Sequence, residues 1–366
     1  MLGFAALSIV ACSETKKEET TETVVEAKDS LRYPEEKYFK NVRQITFGGD
    51  NAEAYWSFDN SKLVLQITNK RWNVPCDQIF YVNADAQRDS MPLSMLSTGK
   101  GRTTCSYFMP GDTTVVYAST HLASPDCPPV PAPRDDKKYV WPIYESFDIF
   151  VADLKGNTIK QLTNTPGYDA EATVSPKGDK IVFTSTRSGD LELYTMNIDG
   201  SDVKQITFEL GYDGGAFFSP DGTKLVFRSS RPKTPEEIKD YKDLLKQGMV
   251  TPTEMEIYTC NVDGSDLKQV TQLGKANWAP FFHPSGQKIM FSSNHKSDRG
   301  YQFNLFMMNL DGSGVEQVSF DPVFDAFPMF SPDGKKLCFA SNRFNSKNGE
   351  KARDTNIFIA DWEDIK

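Results

Sequence analysis

The stretch FSPDGTKLVFRSSR at residues 218–231 recurs along the chain with small changes. It joins a Pro-Asp-Gly turn to an apolar strand and ends on a basic residue. The other copies are VSPKGDKIVFTSTR (174–187), FHPSGQKIMFSSNH (282–295) and FSPDGKKLCFASNR (330–343). A tetrapeptide of the Lys-Gln-Ile-Thr type precedes each copy. A repeat of roughly 45 residues with four short strands is typical of a β-propeller, in which each repeat forms one blade.

The residue before each turn proline sets the register of the repeat. Two degenerate copies, at 55–68 and 107–120, extend the pattern towards the amino terminus and bring the number of blades to six. The anchors are Ser57, Met109, Ser175, Ser219, His283 and Ser331. Segment 42–46 has the pattern of a fourth strand but follows no other strand, whereas the last blade has only three. We therefore predict an all-β, six-bladed propeller that strand 42–46 closes by joining the carboxyl-terminal blade, because closure removes exposed strand edges.

The amino-terminal residues have a different character from the repeats. Residues 1–11 are apolar and uncharged and lead into Cys12, a pattern that resembles a bacterial lipoprotein signal in which this cysteine receives lipid. Residues 12–40 are polar and charged and are predicted to form a flexible tether, with the propeller at 41–366. An ordinary cleaved signal is the alternative. We expect a cell-envelope protein, on the periplasmic side of the outer membrane or at the cell surface, whose only membrane contact is the lipid on Cys12.

The remaining five cysteines allow a disulfide to be predicted. Two of them lie inside apolar strands and are expected to be buried. The four strands of a blade are named A to D from the axis outward. Cys76 and Cys127 lie in connections between strands B and C of adjacent blades. Because export favours pairing, we expect a bond between Cys76 and Cys127, with Cys76–Cys105 as the alternative.

One face of the ring carries the irregular polar residues, since D-to-A and B-to-C connections share a face in a propeller. Six positions before the anchors lie Asn51, Thr103, Asp169, Asp213, Asn277 and Asp325, which are expected to surround the channel mouth. A second, basic set follows strand B: Lys70, His121, Arg187, Arg231, His295 and Arg343. Four residues, Glu53, Arg102, Glu171 and Trp278, have no counterpart in most blades. These sets predict either acid–base pairs between loops that lock the blades together or a polar funnel that captures a ligand, a peptide terminus or a cation.

No catalytic residues and no resident cofactor are predicted. The chain has only three histidines, and His283 is expected on the opposite face, so a three-histidine metal site is excluded. A carboxylate-rich calcium or magnesium site remains an alternative, because these cations prefer oxygen ligands. Its candidate ligands are Glu53, Asp169, Glu171 and Asp213.

Two insertions are expected to lie on the same face of the ring. Segment 121–146 is rich in proline and is expected to be extended. Segment 231–254 predicts a short helix that begins with a capping box of Thr234 and Glu237. The apolar residues on one face of this helix are Ile238, Tyr241 and Leu245. This face is predicted either to pack on the ring or to form a shelf for a partner.

The repeated phrase, together with the Lys-Gln-Ile-Thr strand, resembles TolB-like six-bladed propellers over about 42–362. This resemblance implies a periplasmic scaffold that binds partner proteins through the propeller. We expect a non-catalytic, lipid-anchored scaffold for an envelope protein or peptide. The alternative is a glycan- or small-ligand-binding protein, or an enzyme, with a carboxylate-lined funnel. A net charge of −9 argues against nucleic acid as a partner.

Overall fold

The computed structural model describes residues 29–86, 93–349 and 354–365, and the lipidation candidate Cys12 lies outside these residues. Within them, six antiparallel four-stranded sheets form the six blades, as predicted. Strand A of each blade lies next to the central channel and strand D at the rim. Neither of the helices among the described residues is long and apolar enough to cross a membrane.

The strands of the six blades have the following bounds. Blade 1 comprises Asp50–Trp56, Lys62–Asn69, Val74–Asn83 and Ser94–Met95. Blade 2 comprises Thr103–Phe108, Thr114–Ser119, Asp148–Asp153 and Thr158–Gln161. Blade 3 comprises Asp169–Val174, Lys180–Ser185, Glu192–Asn197 and Lys204–Gln205. Blade 4 comprises Asp213–Phe218, Lys224–Ser230, Met255–Asn261 and Lys268–Gln269. Blade 5 comprises Asn277–Phe282, Lys288–Ser293, Asn304–Asn309 and Glu316–Gln317. Blade 6 comprises Asp325–Phe330, Lys336–Ser341, Asn356–Trp362 and, from the amino-terminal side, Phe39–Gln44.

The ring closes between distant parts of the chain. Strand Phe39–Gln44 pairs antiparallel with Asn356–Trp362, with Phe39 opposite Trp362. Backbone hydrogen bonding continues beyond Gln44, since the NH of Ile45 donates to the carbonyl of Ile357 at 2.7 Å. The predicted closure is confirmed, although the strand begins three residues earlier than expected.

Strand B shows why the repeated apolar run forms a buried strand. Leu225, Val226 and Phe227 are all fully buried, although consecutive residues of a strand point to opposite faces of the sheet. Both faces are therefore covered, since each blade packs against its neighbours. The preceding turn is closed by a bond from the NH of Gly222 to the carbonyl of Ser219 at 2.7 Å. Gly222 has a φ of 65°, which glycine adopts without strain.

A short segment before the closing strand also belongs to the ring. Glu36 is fully buried against Arg343, and the hydroxyl of Tyr33 donates to Asp321 at 2.8 Å. The predicted flexible tether up to residue 40 is therefore wrong over residues 31–40, because these contacts and the closing strand fasten this segment to blade 6.

The two insertions meet on one face of the ring, as expected. Helix α1, Pro235–Leu245, begins with the predicted capping box of Thr234 and Glu237. After it, Met249–Val250 pairs antiparallel with Trp141–Pro142 of the proline-rich insertion. Two shorter elements complete the B-to-C connections: a 3-10 helix at Lys70–Trp72 and helix α2 at Arg343–Lys347.

Candidate functional site

Strand A of every blade has a bulge at the same position, four residues before the anchor. The register of its pairing with strand B shifts there in all six blades. The bulge residues, with φ from 41° to 59°, are Glu53, Cys105, Glu171, Gly215, Ala279 and Phe327. A positive φ is uncommon outside glycine, and bulges redirect side chains. All six residues line the central cavity.

This cavity occupies the end of the channel that carries the insertions and has a volume of about 460 Å³. Tyr55, Phe217 and Met329 form its floor, since they also line a smaller pocket of about 170 Å³ towards the turn prolines of the opposite face. The rings of Tyr55 and Phe217 lie 5.9 Å apart. Trp141, which belongs to the proline-rich insertion, also lines the cavity. The centre of its ring lies 5.1 Å from that of Trp278. The channel is thus divided into two pockets, of which the larger has aromatic walls.

Glu171 is held by a dense set of donors. Its carboxylate contacts the guanidinium of Arg228 and accepts bonds from the hydroxyl of Tyr212 and the NH of Gly215 at 2.7 and 2.8 Å. Thr184 donates a further bond at 2.7 Å. Burial would raise the pKa of Glu171, but Arg228 and the two hydroxyls outweigh it, so the pKa lies below its usual value. Glu171 is therefore a fixed anion inside the cavity wall.

Glu53 has a different environment. Its Oε2 atom accepts bonds from the thiol of Cys105 at 2.9 Å and from the hydroxyl of Tyr55 at 3.2 Å. Burial raises the pKa of Glu53, although the bond from Cys105 partly opposes this shift. Burial also raises the pKa of the Cys105 thiol well above its usual value, so this thiol stays protonated as a donor.

Of the predicted channel-mouth residues, Thr103 lines the cavity, but the three aspartates and Asn277 lie elsewhere. Asp169, Asp213 and Asp325 are almost completely buried and do not line the cavity. Each contacts the arginine that follows strand B of its own blade, at 2.8, 2.6 and 3.1 Å. The prediction that these residues surround the channel mouth is therefore wrong, because these ion pairs hold them within the blades. Asn277 is likewise fully buried, where it donates to the carbonyl of Met255 at 2.8 Å.

The basic set after strand B also has structural partners. Arg187, Arg231 and Arg343 form the arginine side of these ion pairs and lie over aromatic rings of their own blades. The rings of His121 and His295 lie 4.4 Å from Phe150 and Phe306 of the neighbouring strand C. None of these five residues lines the cavity. The predicted acid–base pairing is thus found for the three arginines, but each pair with an aspartate lies inside one blade and does not join neighbouring blades.

The carboxylates proposed as a calcium or magnesium site do not converge. Arg228 contacts Glu171, while Asp169 and Asp213 pair with their own arginines. The part of the chain that the structure describes contains no group of three or more metal-binding side chains. Glu53 and Glu171 share the cavity, but the ion pairs hold Asp169 and Asp213 within their blades, so the four carboxylates of this alternative do not form one site.

The insertions are tied to the ring near the cavity. Cys76 is bonded to Cys127, the pairing favoured from the sequence, which fastens the proline-rich insertion to blade 1. In helix α1, Tyr241 is buried and donates to Asp190, and Leu244 is 2% exposed. Tyr241 therefore cannot act as a partner shelf, because it packs on the ring. Ile238 and Leu245, the other predicted shelf residues, are half-buried.

Among the predicted candidates, Glu53, Arg102, Glu171 and Trp278 all line the cavity. No sequence pattern indicated Tyr212 and Arg228, which bond to Glu171, or Trp141, which comes from an insertion. Cys105 was not predicted to line the cavity either, although it lies at the same repeat position as Glu53 and Glu171. That shared position was the available signal.

Known proteins with similar sequence or structure share the propeller fold. Residues 143–254 match the TolB beta propeller domain family, PD40. The protein folds as a six-bladed β-propeller, and its central part resembles this family. The propeller is similar to a protein assigned as TolB from Agrobacterium tumefaciens, with a TM-score of 0.55 and 20% identity over 86% of this chain and 91% of that one.

Two further solved structures resemble this propeller. TolB from Acinetobacter baumannii has a TM-score of 0.55 at 18% identity, over 84% of this chain and 65% of that one. An oligogalacturonate lyase from Vibrio parahaemolyticus has a TM-score of 0.50 at 12% identity, over 87% of this chain and 93% of that one. At these identities, the likeness shows the fold that the proteins share.

Proposed function

We propose that this protein is a non-catalytic scaffold that binds an envelope protein through a peptide segment held in the central cavity. The observation that carries this proposal is the aromatic cavity of about 460 Å³ beneath the paired insertions. Ligand pockets typically have volumes of 300–1,000 Å³, apolar walls and a few convergent polar groups. The cavity has this composition, and the TolB-like fold supports a protein-binding role.

The proposed location is the cell envelope, with lipid on Cys12 as the anchor and a flexible linker between that residue and the ring. The lipoprotein-type sequence before Cys12 supports this proposal. The division into signal, linker and propeller, with the linker ending before residue 31, is part of the same proposal. Metabolic labelling with an alkyne fatty acid tests it: the wild-type protein should be labelled, and Cys12→Ala should not. Equal labelling of both proteins contradicts lipid attachment at Cys12.

A saccharide-binding protein or enzyme is the second candidate function. Aromatic rings such as those of Trp141 and Trp278 at the cavity wall favour it, since saccharides stack on aromatic side chains, and an oligogalacturonate lyase has a similar fold. A polyanionic oligosaccharide would, however, meet the carboxylate of Glu53. Neutral oligosaccharides that bind by calorimetry and compete with the protein partner would support this second candidate.

Photo-crosslinking in cells tests the scaffold proposal. A photoreactive phenylalanine analogue replaces Tyr139, which is 61% exposed and lines the cavity. The matched control places it at Ile159, 56% exposed on strand D of blade 2. We expect a discrete protein adduct from position 139 alone. No adduct, or the same adduct from both positions, contradicts a partner site at the cavity.

A further inference from the structure

The cavity contains one acid more than its bases can neutralise. Among the described residues, its charged lining consists of Glu53, Asp77, Glu171, Arg102 and Arg228. Arg228 contacts Glu171, and Nη1 of Arg102 lies 3.7 Å from Oδ2 of Asp77. Glu53 forms no ion pair in the part of the chain that the structure describes, since Arg228, the base that faces it, is already paired with Glu171. Pairing the other four charges therefore leaves the cavity with a single uncompensated carboxylate.

The backbone directs this carboxylate into the cavity. Glu53 is the bulge residue of blade 1, with a φ of 52°, and its side chain lines the cavity. Among the described residues, Glu53 accepts hydrogen bonds only at its Oε2 atom, from Cys105 and Tyr55. The other oxygen is available to a ligand. Glu53 is half-buried, and a carboxylate that is partly removed from water without a counterion is destabilised, so a ligand that supplies a positive charge binds with a gain that a neutral ligand lacks.

The aromatic walls favour the same kind of ligand. Cations are attracted to the faces of aromatic rings, most strongly to that of tryptophan. Trp141 already has the guanidinium carbon of Arg228 at 5.3 Å from its ring centre. Trp278 and Tyr55 present further rings to the same cavity. A positively charged group next to Glu53 would thus meet both a counterion and aromatic faces.

We propose that the cavity recognises an ammonium group of the bound peptide and that Glu53 is its counterion. This inference rests on the proposed function and specifies the part of the partner that enters the cavity. An ammonium group donates three hydrogen bonds, and one of these would go to the free oxygen of Glu53. The ammonium group belongs either to an amino terminus or to a lysine side chain, and the experiment distinguishes the two.

Calorimetric titration of the full protein with three small probes tests the inference. Nα-acetyl-lysine methylamide carries only a side-chain ammonium, and alanyl-alanine amide carries only an amino-terminal one. Nα-acetyl-norleucine methylamide has similar apolar volume but no charge. We expect one of the two ammonium probes to bind at least about tenfold more tightly than the neutral probe, the range expected for a hydrogen bond to a charged group. Equal affinity for all three probes, or no detectable binding of either ammonium probe, overturns the inference.

Glu53→Gln supplies the decisive variant, because it keeps the size and the acceptor oxygen but removes the charge. We expect it to weaken binding of the preferred ammonium probe about tenfold and to leave the neutral probe unaffected. Asp298→Asn is the matched control, since it removes an exposed carboxylate that lies outside the cavity lining, and it should bind like the wild type. Unchanged ammonium affinity in folded Glu53→Gln overturns the inference, with folding checked by circular dichroism.

The outcomes separate this inference from the proposed function. A protein adduct at position 139 without any preference for ammonium probes would leave the scaffold function standing and refute the role of Glu53. Ammonium binding that depends on Glu53, without any protein adduct, would support the recognition chemistry and contradict the scaffold function.

Discussion

The carboxylate of Glu36 and the guanidinium of Arg343 form a completely buried ion pair, with Nη2 and Oε1 2.9 Å apart. The two residues are separated by 307 positions in the sequence. Arg343 also contacts Asp325, so one guanidinium joins the segment before the closing strand to strand A of blade 6. The pair lies beside the seam where the two ends of the chain meet.

Loss of Glu36 should destabilise the ring. Glu36→Ala leaves part of the charge of Arg343 buried without a partner, and breaking a buried pair costs about 3 kcal/mol or more. We expect the free energy of unfolding in urea to fall by about that amount. Glu35→Ala, at an exposed neighbouring position, is the control and should stay within about 0.5 kcal/mol of the wild type. Similar values for both variants would show that the pair does not stabilise the fold.

Removal of the closing strand should affect every blade. Deletion of residues 41–47 takes away most of strand D of blade 6 and exposes the edge of Asn356–Trp362. Because blades stack face to face around a closed ring, we expect amide hydrogen exchange to accelerate in all six blades. Lys40→Ala, at an exposed position of the same strand, should retain the wild-type protection. Faster exchange confined to blade 6 would contradict a cooperative ring.

The bond between Cys76 and Cys127 should stabilise the protein by closing a long loop. For a sequence separation of 51, the chain-entropy model gives a contribution on the order of 4 kcal/mol. We expect the Cys76→Ser/Cys127→Ser variant to unfold at lower urea concentration and to be insensitive to reductant. Cys338→Ala, which removes a free buried thiol, should keep the response to reductant. A wild-type protein that unfolds identically with and without reductant would contradict this prediction.

Glu53 should reduce stability in the absence of a ligand. Its pKa in the folded state is raised above the ordinary 4.5, so the folded protein holds a proton that the unfolded chain has released. Wild-type stability therefore falls as pH rises from about 4.5 through the folded-state pKa of Glu53. Glu53→Gln removes this penalty and should be more stable than the wild type at neutral pH, with the difference disappearing below about pH 4.5. Urea unfolding across pH measures it.

Glu171→Gln provides the opposite case. The pKa of Glu171 is lowered, so its stabilisation is present above the unfolded-state value and is lost as pH falls through the folded-state pKa. We expect this variant to be less stable than the wild type at neutral pH, and we expect the difference in stability to shrink in acid.

The titratable and charged groups facing Glu53 are Cys105, Tyr55, Glu171 and Arg228. In Glu53→Gln these groups remain, so a pH profile with the same sign for both variants would contradict the assignment.

The candidate site was only partly predictable. Glu53 and Glu171 were predicted as site residues because most blades have no counterpart to them, and both line the cavity. The aspartates of the repeat were expected at the same place because repeat position indicates the face of a blade. It does not indicate whether a side chain points along the channel or into the sheet. The bulge in strand A decides that direction, and no residue type in this set predicts it, since only one of the six bulge residues is glycine.

The sequence by itself determined the number of blades, the closing strand and the shared face of the insertions. These features follow from local turn chemistry and from apolar runs that the repeat reinforces. Only the tertiary structure decided which charges are neutralised. Arg228 and Glu171 are 57 residues apart, and Glu36 lies 307 residues from Arg343. Such pairings depend on distances between blades, which no local pattern encodes, and they leave Glu53 as the unpaired carboxylate of the cavity.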